Sequence, residues 1–313
     1  MCSPTAAFPL KKGAVVLAPM AGVNDPIFRG ICKRMGADLT YTEMVSAAGL
    51  AYGSQKTQTL LYISKEEAPA AVQLFGKDPE TLAQQARYLE EHYGQGIALI
   101  DINMGCPARK IAGKGEGAAL MKDPALAALI LRAVVGAVSL PVSVKFRKGY
   151  GLGDNTAVEF ARMAQDCGVC QIAVHGRTAQ QFYHGASDRD LISQVKQAVG
   201  IPVLASGDVF TTDDIKAYLE EQGADGVMVA RGAQGNPWIF SRRIPSLQER
   251  VDIAREHAQG LAALFPHRLA SMRKHIPWYF KGVSHVSTLR REVQTCQTIG
   301  DYEALLDKVV SWS

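Results

Sequence analysis

An amide and a thiol three residues apart, in Asp101-Ile102-Asn103-Met104-Gly105-Cys106-Pro107, are the most chemically loaded feature of this 313-residue chain. They follow the apolar run Ile97-Ala98-Leu99-Ile100, which reads as a short buried strand. Pro107 cannot extend that strand, and it pushes Cys106 towards an extended backbone. Asn103 and Cys106 are therefore delivered where a strand ends and a loop begins, the end of a parallel α/β sheet that carries chemistry. A thiol there can be a nucleophile, an acid or plain packing.

The elements that must position these groups are legible as alternation. Short, mostly apolar segments at 14–18, 39–42, 70–74, 99–103, 142–146, 171–175, 203–206 and 226–230 read as strands buried on both faces. Helical patterns fill the gaps. Asp78-Pro79 and Asp123-Pro124 each put an acidic cap before a proline at the first helical position, and Thr211 with Asp213 and Asp214 starts another helix. Gly36, Gly168 and Gly223 stand where helices should stop. Eight such alternations predict a (β/α)8 TIM barrel over residues 1–243, whereas an open doubly wound sheet usually has fewer strands. Beyond residue 244 the pattern turns helical (247–265, 269–282, 286–299, 302–312), predicting a small C-terminal helical domain over 247–313.

A barrel should collect polar residues at the C-terminal ends of its strands, and this chain does so. The first strand ends in Pro19, Met20 and Ala21, and the third presents Gln73. The fourth ends in Asn103 and Cys106, the fifth in Lys145 and Arg147, and the sixth in His175 and Arg177. The seventh ends in Ser206, Gly207 and Asp208, the eighth in Ala230 and Arg231. Barrels often bind phosphate after strands seven and eight, and these loops offer backbone N–H groups exposed by glycine plus a guanidinium. Asp208 could equally cap the following helix, and Arg231 could pair with a carboxylate. A phosphate there, with a ring near Gln73, Asn103 and Lys145, describes a flat phosphorylated cofactor across the barrel mouth, the shape of FMN. A lysine beside its pyrimidine edge would favour the anionic reduced state. The glycine-rich stretch 108–117, with Arg109, Lys110 and Lys114, lacks the lysine-hydroxyl ending of a P-loop and reads as a mobile basic flap beside Cys106.

Composition excludes several classes. Apolar content of 47% and charged content of 20% are ordinary for a globular protein, and a net charge of +4 permits a polyanionic partner without requiring one. No apolar run approaches a membrane span, and the opening residues lack the long apolar core of a secretory signal, so a cytoplasmic protein is expected. The six cysteines (2, 32, 106, 167, 170 and 296) follow no disulfide framework. Cys167-Gly-Val-Cys170 has no second pair at zinc spacing, so packed thiols are expected and no metal. Between Phe265 and Arg291 the chain carries Arg268, Arg273, Lys274, Lys281, Arg290 and Arg291 with no Asp or Glu, which suits a polyanion.

With these residues laid out, the chain resembles the tRNA-dihydrouridine synthases, most closely the bacterial DusB type, over nearly its whole length. The likeness rests on Ala18-Pro-Met-Ala-Gly22, residues 101–107, Val174-His-Gly-Arg-Thr178, Gly207-Asp208, Ala230-Arg-Gly-Ala-Gln-Gly-Asn-Pro-Trp-Ile-Phe240 and Arg273-Lys-His-Ile-Pro-Trp-Tyr279. It implies an FMN enzyme that reduces selected uridines of tRNA with NADPH. Pro19 to Ala21, Gln73, Lys145, Ser206 to Asp208, Ala230 and Arg231 would surround FMN, with Asn103 and His175 close to the flavin or the uracil. Cys106 would be the proton donor. Two departures stand out: Ser206 occupies a position usually held by Asn, and Pro277 interrupts the basic helical stretch.

The implied chemistry is coherent. Uracil's C5–C6 bond is conjugated to a carbonyl, so hydride addition at C6 leaves charge that needs a proton at C5. A thiol of ordinary pKa, about 8.5, is mostly protonated at neutral pH, as an acid should be. The target base must leave its stack. Arg147 and Arg177 at the barrel mouth, Arg109 and Lys110 on the flap, and Arg273, Lys274 and Lys281 in the helical domain are the expected RNA contacts, and a monomer is expected. A barrel flavoenzyme acting on a free pyrimidine would explain the cysteine but not the basic appendage. A nucleic-acid-binding module without catalysis would explain the appendage but leave Cys106 and Lys145 idle.

Overall fold

A computed structural model describes residues 10–311. Cys2, most of the opening stretch read for a leader, and Trp312 lie outside the described residues. Eight strands form one parallel sheet: β1 (Ala14–Leu17), β2 (Val45–Ser46), β3 (Ala70–Phe75), β4 (Ile97–Met104), β5 (Val142–Arg147), β6 (Gln171–His175), β7 (Val203–Ser206) and β8 (Gly226–Val229). Their order, β1-β8-β7-β6-β5-β4-β3-β2, is that of a (β/α)8 TIM barrel.

The strand expected at 39–42 differs from the fold. It forms only isolated bridges, Thr40 to Leu17 and Tyr41 to Ala71, and these close the barrel between β1 and β3. The continuous ladder on that side is the two-residue β2, paired with Leu74 and Phe75. The physical reason is a side chain in the ladder's place: the Gln73 N–H donates to the Thr42 hydroxyl at 3.2 Å.

Strand alternation decides what enters the barrel. In β5 the sequence Val-Ser-Val-Lys-Phe-Arg puts Val142, Val144 and Phe146 into the main apolar cluster between strands and helices. Ser143, Lys145 and Arg147 must then point inward, because successive side chains take opposite faces. The same period turns Asp101 and Asn103 of β4 and Gln171 and His175 of β6 inward. A separate apolar cluster, including Val16, Tyr41, Leu99, Ala173 and Met228, fills the barrel beneath them. The expected helix starts are present: Asp78 and Asp123 accept from Thr81 N–H (2.8 Å) and Leu126 N–H (3.0 Å), each before a proline.

The chain ends in helices at Leu247–Leu264, Met272–Tyr279, Val286–Glu292 and Ile299–Val310. Capping boxes at Ser246/Glu249 and Thr298/Asp301 start the first and last. Pro277 neither begins nor ends its helix but lies inside Met272–Tyr279. Val251, Leu261, Met272, Ile276, Phe280, Leu289 and Leu306 build a second apolar cluster that reaches Ile31 and Trp238 of the barrel half.

Polar contacts seal this seam. Asp25 caps the helix Pro26–Arg34 and receives His257 Nε2 at 3.0 and 3.1 Å. His257 Nδ1 lies 3.0 Å from the Tyr279 hydroxyl. Burial alone would raise the Asp25 carboxyl, but the charge and hydrogen bond of His257, with His275 beyond, hold it well below the usual range. Next to it, the buried Arg29 donates to Glu67 (2.7 and 2.9 Å) and to the carbonyls of Asn24 and Tyr62.

Candidate active site

The strand ends converge on one cavity of about 290 Å³, on the scale of small-molecule pockets. Pro19, Met20, Ala21, Gln73, Asn103, Cys106, Lys145, His175, Ser206, Gly207, Asp208, Ala230 and Arg231 all line it. The structure thus brings together every residue that the sequence placed around a ring and a phosphate.

A hydrogen-bond chain sets the floor. Asp101 accepts from Ser143 Oγ (2.5 Å) and from Gln73 Nε2 (2.6 Å). Gln73 Oε1 then accepts from Asn103 Nδ2 at 2.7 Å, and Asn103 Oδ1 accepts from the N–H groups of Gly105 (3.2 Å) and Cys106 (3.0 Å). Because a carboxylate only accepts, Asp101 fixes which end of each amide faces which neighbour. Burial pushes Asp101 up to about 6, against the opposing hydrogen bonds of Gln73 and Ser143 and the charge of Lys145. Its role escaped the sequence reading, although its place on Leu99's face of the strand was there to be seen.

Three cations, Lys145, Arg147 and Arg231, stand in the walls. Burial, then the Arg147 charge, lowers Lys145 to about 8. Burial holds His175 well below the ordinary histidine range, reinforced by Arg147, Lys145, Arg177 and Arg231. Burial raises the Cys106 thiol, and the nearby Arg147 and Lys145 only partly offset it, so the sulfur keeps its proton at neutral pH.

The far end is built around Asp208. It receives Arg177 (2.5 and 2.8 Å) and Arg231 (2.9 Å), together with the Ser187 N–H at 2.9 Å. Asp208 therefore orients guanidinium groups rather than capping a helix. Arg231 lies 4.4 Å from the Tyr183 ring centroid and 5.3 Å from that of Phe210, two aromatic residues that carry no signal in the sequence. Gly207 has φ +119°, and any side chain there would collide with Ser187 and His175.

Arg147 and Arg177, expected at the barrel mouth as phosphate contacts, bond to the protein itself, and Arg147 also lines the cavity. Both are buried. Arg147 donates to the carbonyls of Gly105 (2.8 Å), Thr178 and Phe182 (3.0 Å each). Arg177 serves Asp208 and the carbonyls of His184 and Gly185. Each pins loops together because a guanidinium presents several donors in a fixed fork. Arg109 and Lys110 are exposed, on a helical turn (Arg109–Ala112) rather than a structureless flap.

In the helical part, Lys281, Arg290 and Arg291 are exposed. Others of the basic run are engaged: Arg268 pairs with Glu43, Lys274 donates to the Gly22 carbonyl, and Arg273 donates to the Cys296 carbonyl (2.8 and 3.1 Å). Glu43 also accepts the Gly22 N–H, so the loop after β1 that edges the cavity is tied to these helices. Cys167 and Cys170 straddle a helix end and β6, and both are free. Among the described residues no helix is long and apolar enough to cross a membrane.

A family model described as dihydrouridine synthase matches residues 16–311. The tRNA-dihydrouridine synthase B of Xanthomonas axonopodis pv. citri is 41% identical over 297 residues, covering 91% of this chain and 89% of that protein. That of Shewanella oneidensis is 41% identical over 281 residues, covering 86% of each. A probable tRNA-dihydrouridine synthase of Rickettsia conorii is 41% identical over 293 residues, 89% of this chain and 88% of its own. Among solved structures, histamine dehydrogenase from Rhizobium sp. 4-9 superposes with a TM-score of 0.55 at 13% identity. That match covers 82% of this chain and 50% of that one, a likeness of fold alone.

Proposed function

The chain belongs to the dihydrouridine synthase family, and we propose that it reduces the C5–C6 double bond of uridines in tRNA, with FMN as cofactor and NADPH as reductant. One observation carries the reading: the half-buried Cys106 thiol stands at the edge of a cavity whose wall carries Lys145, Arg147 and Arg231, a lining that suits a flat, phosphorylated ring.

The residues present fit such a group. His175 Nε2 is buried, lines the cavity region and has no hydrogen-bond partner among the described residues. A buried polar atom left unpaired is costly, so a ligand that supplies the partner is favoured. Arg231 and the backbone of Ser206, Gly207 and Asp208 would hold the phosphate. Gln73, Asn103 and Lys145 would meet the pyrimidine edge, and Pro19, Met20, Ala21 and Ala230 would pack against the ring. When bound, reduced FMN supplies hydride.

The chain's own residues do the rest. Cys106 holds at Sγ the proton destined for C5 of uracil. Lys145 keeps a positive charge at the cavity wall below about pH 8, where it counters negative charge that develops on ring or base. Asp101, through Gln73 and Asn103, fixes the backbone that carries the thiol.

In this reading 1–243 is the catalytic domain, with the barrel in its described part, and 247–313 is the domain that grips the tRNA. The uridine must be flipped out to reach a cavity inside a barrel mouth. Arg109, Lys110 and Lys281 contact phosphates directly. Arg273 and Lys274 act by bracing the helices against one another and against the loop after β1, and Arg147 and Arg177 by bracing the mouth. A tRNA substrate makes this a cytoplasmic enzyme. The test is incubation of purified protein with NADPH and unmodified tRNA, followed by nucleoside mass spectrometry. Dihydrouridine appears if the reading holds and is absent if it does not.

A further inference from the structure

Beside the cavity lies a second pocket, of about 240 Å³, between the helical turn Arg109–Ala112 and the loops that follow β5 and β6. Pro107, the residue after Cys106, lines both. Its other walls include Arg109, Gly113, Tyr150, Gln180 and Phe182.

The loops that build it are held firmly. The Gln180 N–H donates to the Tyr150 carbonyl at 3.0 Å, and Gln180 Oε1 accepts the Leu152 N–H at 3.1 Å. Phe182 sits at φ +52°, a left-handed conformation that a bulky residue adopts only under constraint, and the residue is 39% exposed. The constraint comes from Arg147, which binds the Phe182 carbonyl (3.0 Å) and the Gly105 carbonyl (2.8 Å). One buried guanidinium thus ties the backbone of the exposed Phe182 to the backbone that carries the thiol.

We propose that this pocket seats the nucleobase adjacent to the reacting uridine; the proposal rests on the function proposed above. The exposed Phe182, with Tyr150 (whose ring has Lys122 Nζ 4.6 Å from its centroid) in the same lining, suits a base, since every base offers a π-face for stacking. The exposed Arg109 guanidinium in the same wall suits the phosphate that joins the two nucleotides. Flipping one base leaves its neighbour unstacked, and this pocket offers a replacement surface next to the site of reaction.

The test places a photoreactive p-benzoylphenylalanine at position 182, irradiates the protein with unmodified tRNA, and maps the crosslinked nucleotide. The proposal expects the crosslink at the nucleotide immediately beside the uridine that the native protein converts. A crosslink elsewhere, or none while that uridine is still converted, overturns it. If the native protein converts no uridine, the function reading itself falls, a result read separately from the crosslink. Phe182→Ala should also weaken tRNA binding in fluorescence anisotropy by about tenfold, with Phe182→Tyr restoring it. Unchanged tRNA affinity with a raised KM for NADPH would instead give the pocket to the reductant.

Discussion

Two regions of this molecule bury charge, and they do so in opposite ways. At the seam between the barrel and the C-terminal helices, the buried charges have internal partners: Asp25 meets His257 across it, and Arg29 meets Glu67 within the barrel part beside it. At the barrel mouth, Lys145, Arg147, Arg177 and Arg231 converge, and the carboxylates among them are the deep Asp101 and the already doubly paired Asp208. The seam is closed chemistry that holds two parts of the chain together. The mouth sets four cations against two carboxylates beside a cavity, a setting that suits an anionic ligand. Buried charge alone therefore does not mark a site; buried charge without internal compensation does.

Substitutions should separate the two regions cleanly. Cys106→Ala should lower the rate of dihydrouridine formation on the order of 10²–10⁴-fold, the usual worth of a positioned acid, with thermal stability unchanged. Glu67→Gln beside the seam should do the reverse. It leaves Arg29 buried without its counter-charge, costing about 3–5 kcal/mol in denaturant unfolding while the folded fraction keeps its turnover. Arg231→Ala should weaken flavin retention, measured by fluorescence titration, by about 1.5–3 kcal/mol, because Asp208 stays paired with Arg177 and the fold is not disturbed.

A pH profile sharpens the contrast further. Lys145 is pushed down to about 8, so its charge is present below that pH and lost as pH rises through it. Turnover should fall over the same limb, and Lys145→Met should give a lower rate without that limb. The Cys106 thiol, raised by burial, keeps its proton through this range and does not confuse the reading. The smallest effect belongs to the depth of the mouth. Asp101 has its folded value raised to about 6, so the stability it contributes is full below about 4 and lost as pH rises towards 6. Asp101→Asn should flatten that slope in unfolding measurements.

Legibility in the sequence divides along the same line. The short apolar segments announced the strands, and the polar residues clustering at strand ends announced the cavity; the alternation in 142–147 was there to show which side chains enter the barrel. Period and position are local properties, and they survived into the fold. The segment 39–42 misled because Thr42 has the composition of a strand residue while its hydroxyl takes over a ladder hydrogen bond. Arg177 misled because its partner, Asp208, lies 31 residues away on another strand end. The seam was invisible for the same reason: His257 reaches Asp25 across 232 residues, and no spacing rule connects them. Asp101 could have been found, since a carboxylate on the inward face of a buried strand needs partners nearby.

The most direct test of uncompensated charge as an RNA-reducing site follows the visible absorbance of the purified protein, reduced by NADPH without oxygen. Rapid reoxidation on adding unmodified tRNA, and none with free uracil, is the predicted result. Absence of a flavin band, or reoxidation by free uracil as fast as by tRNA, would contradict it.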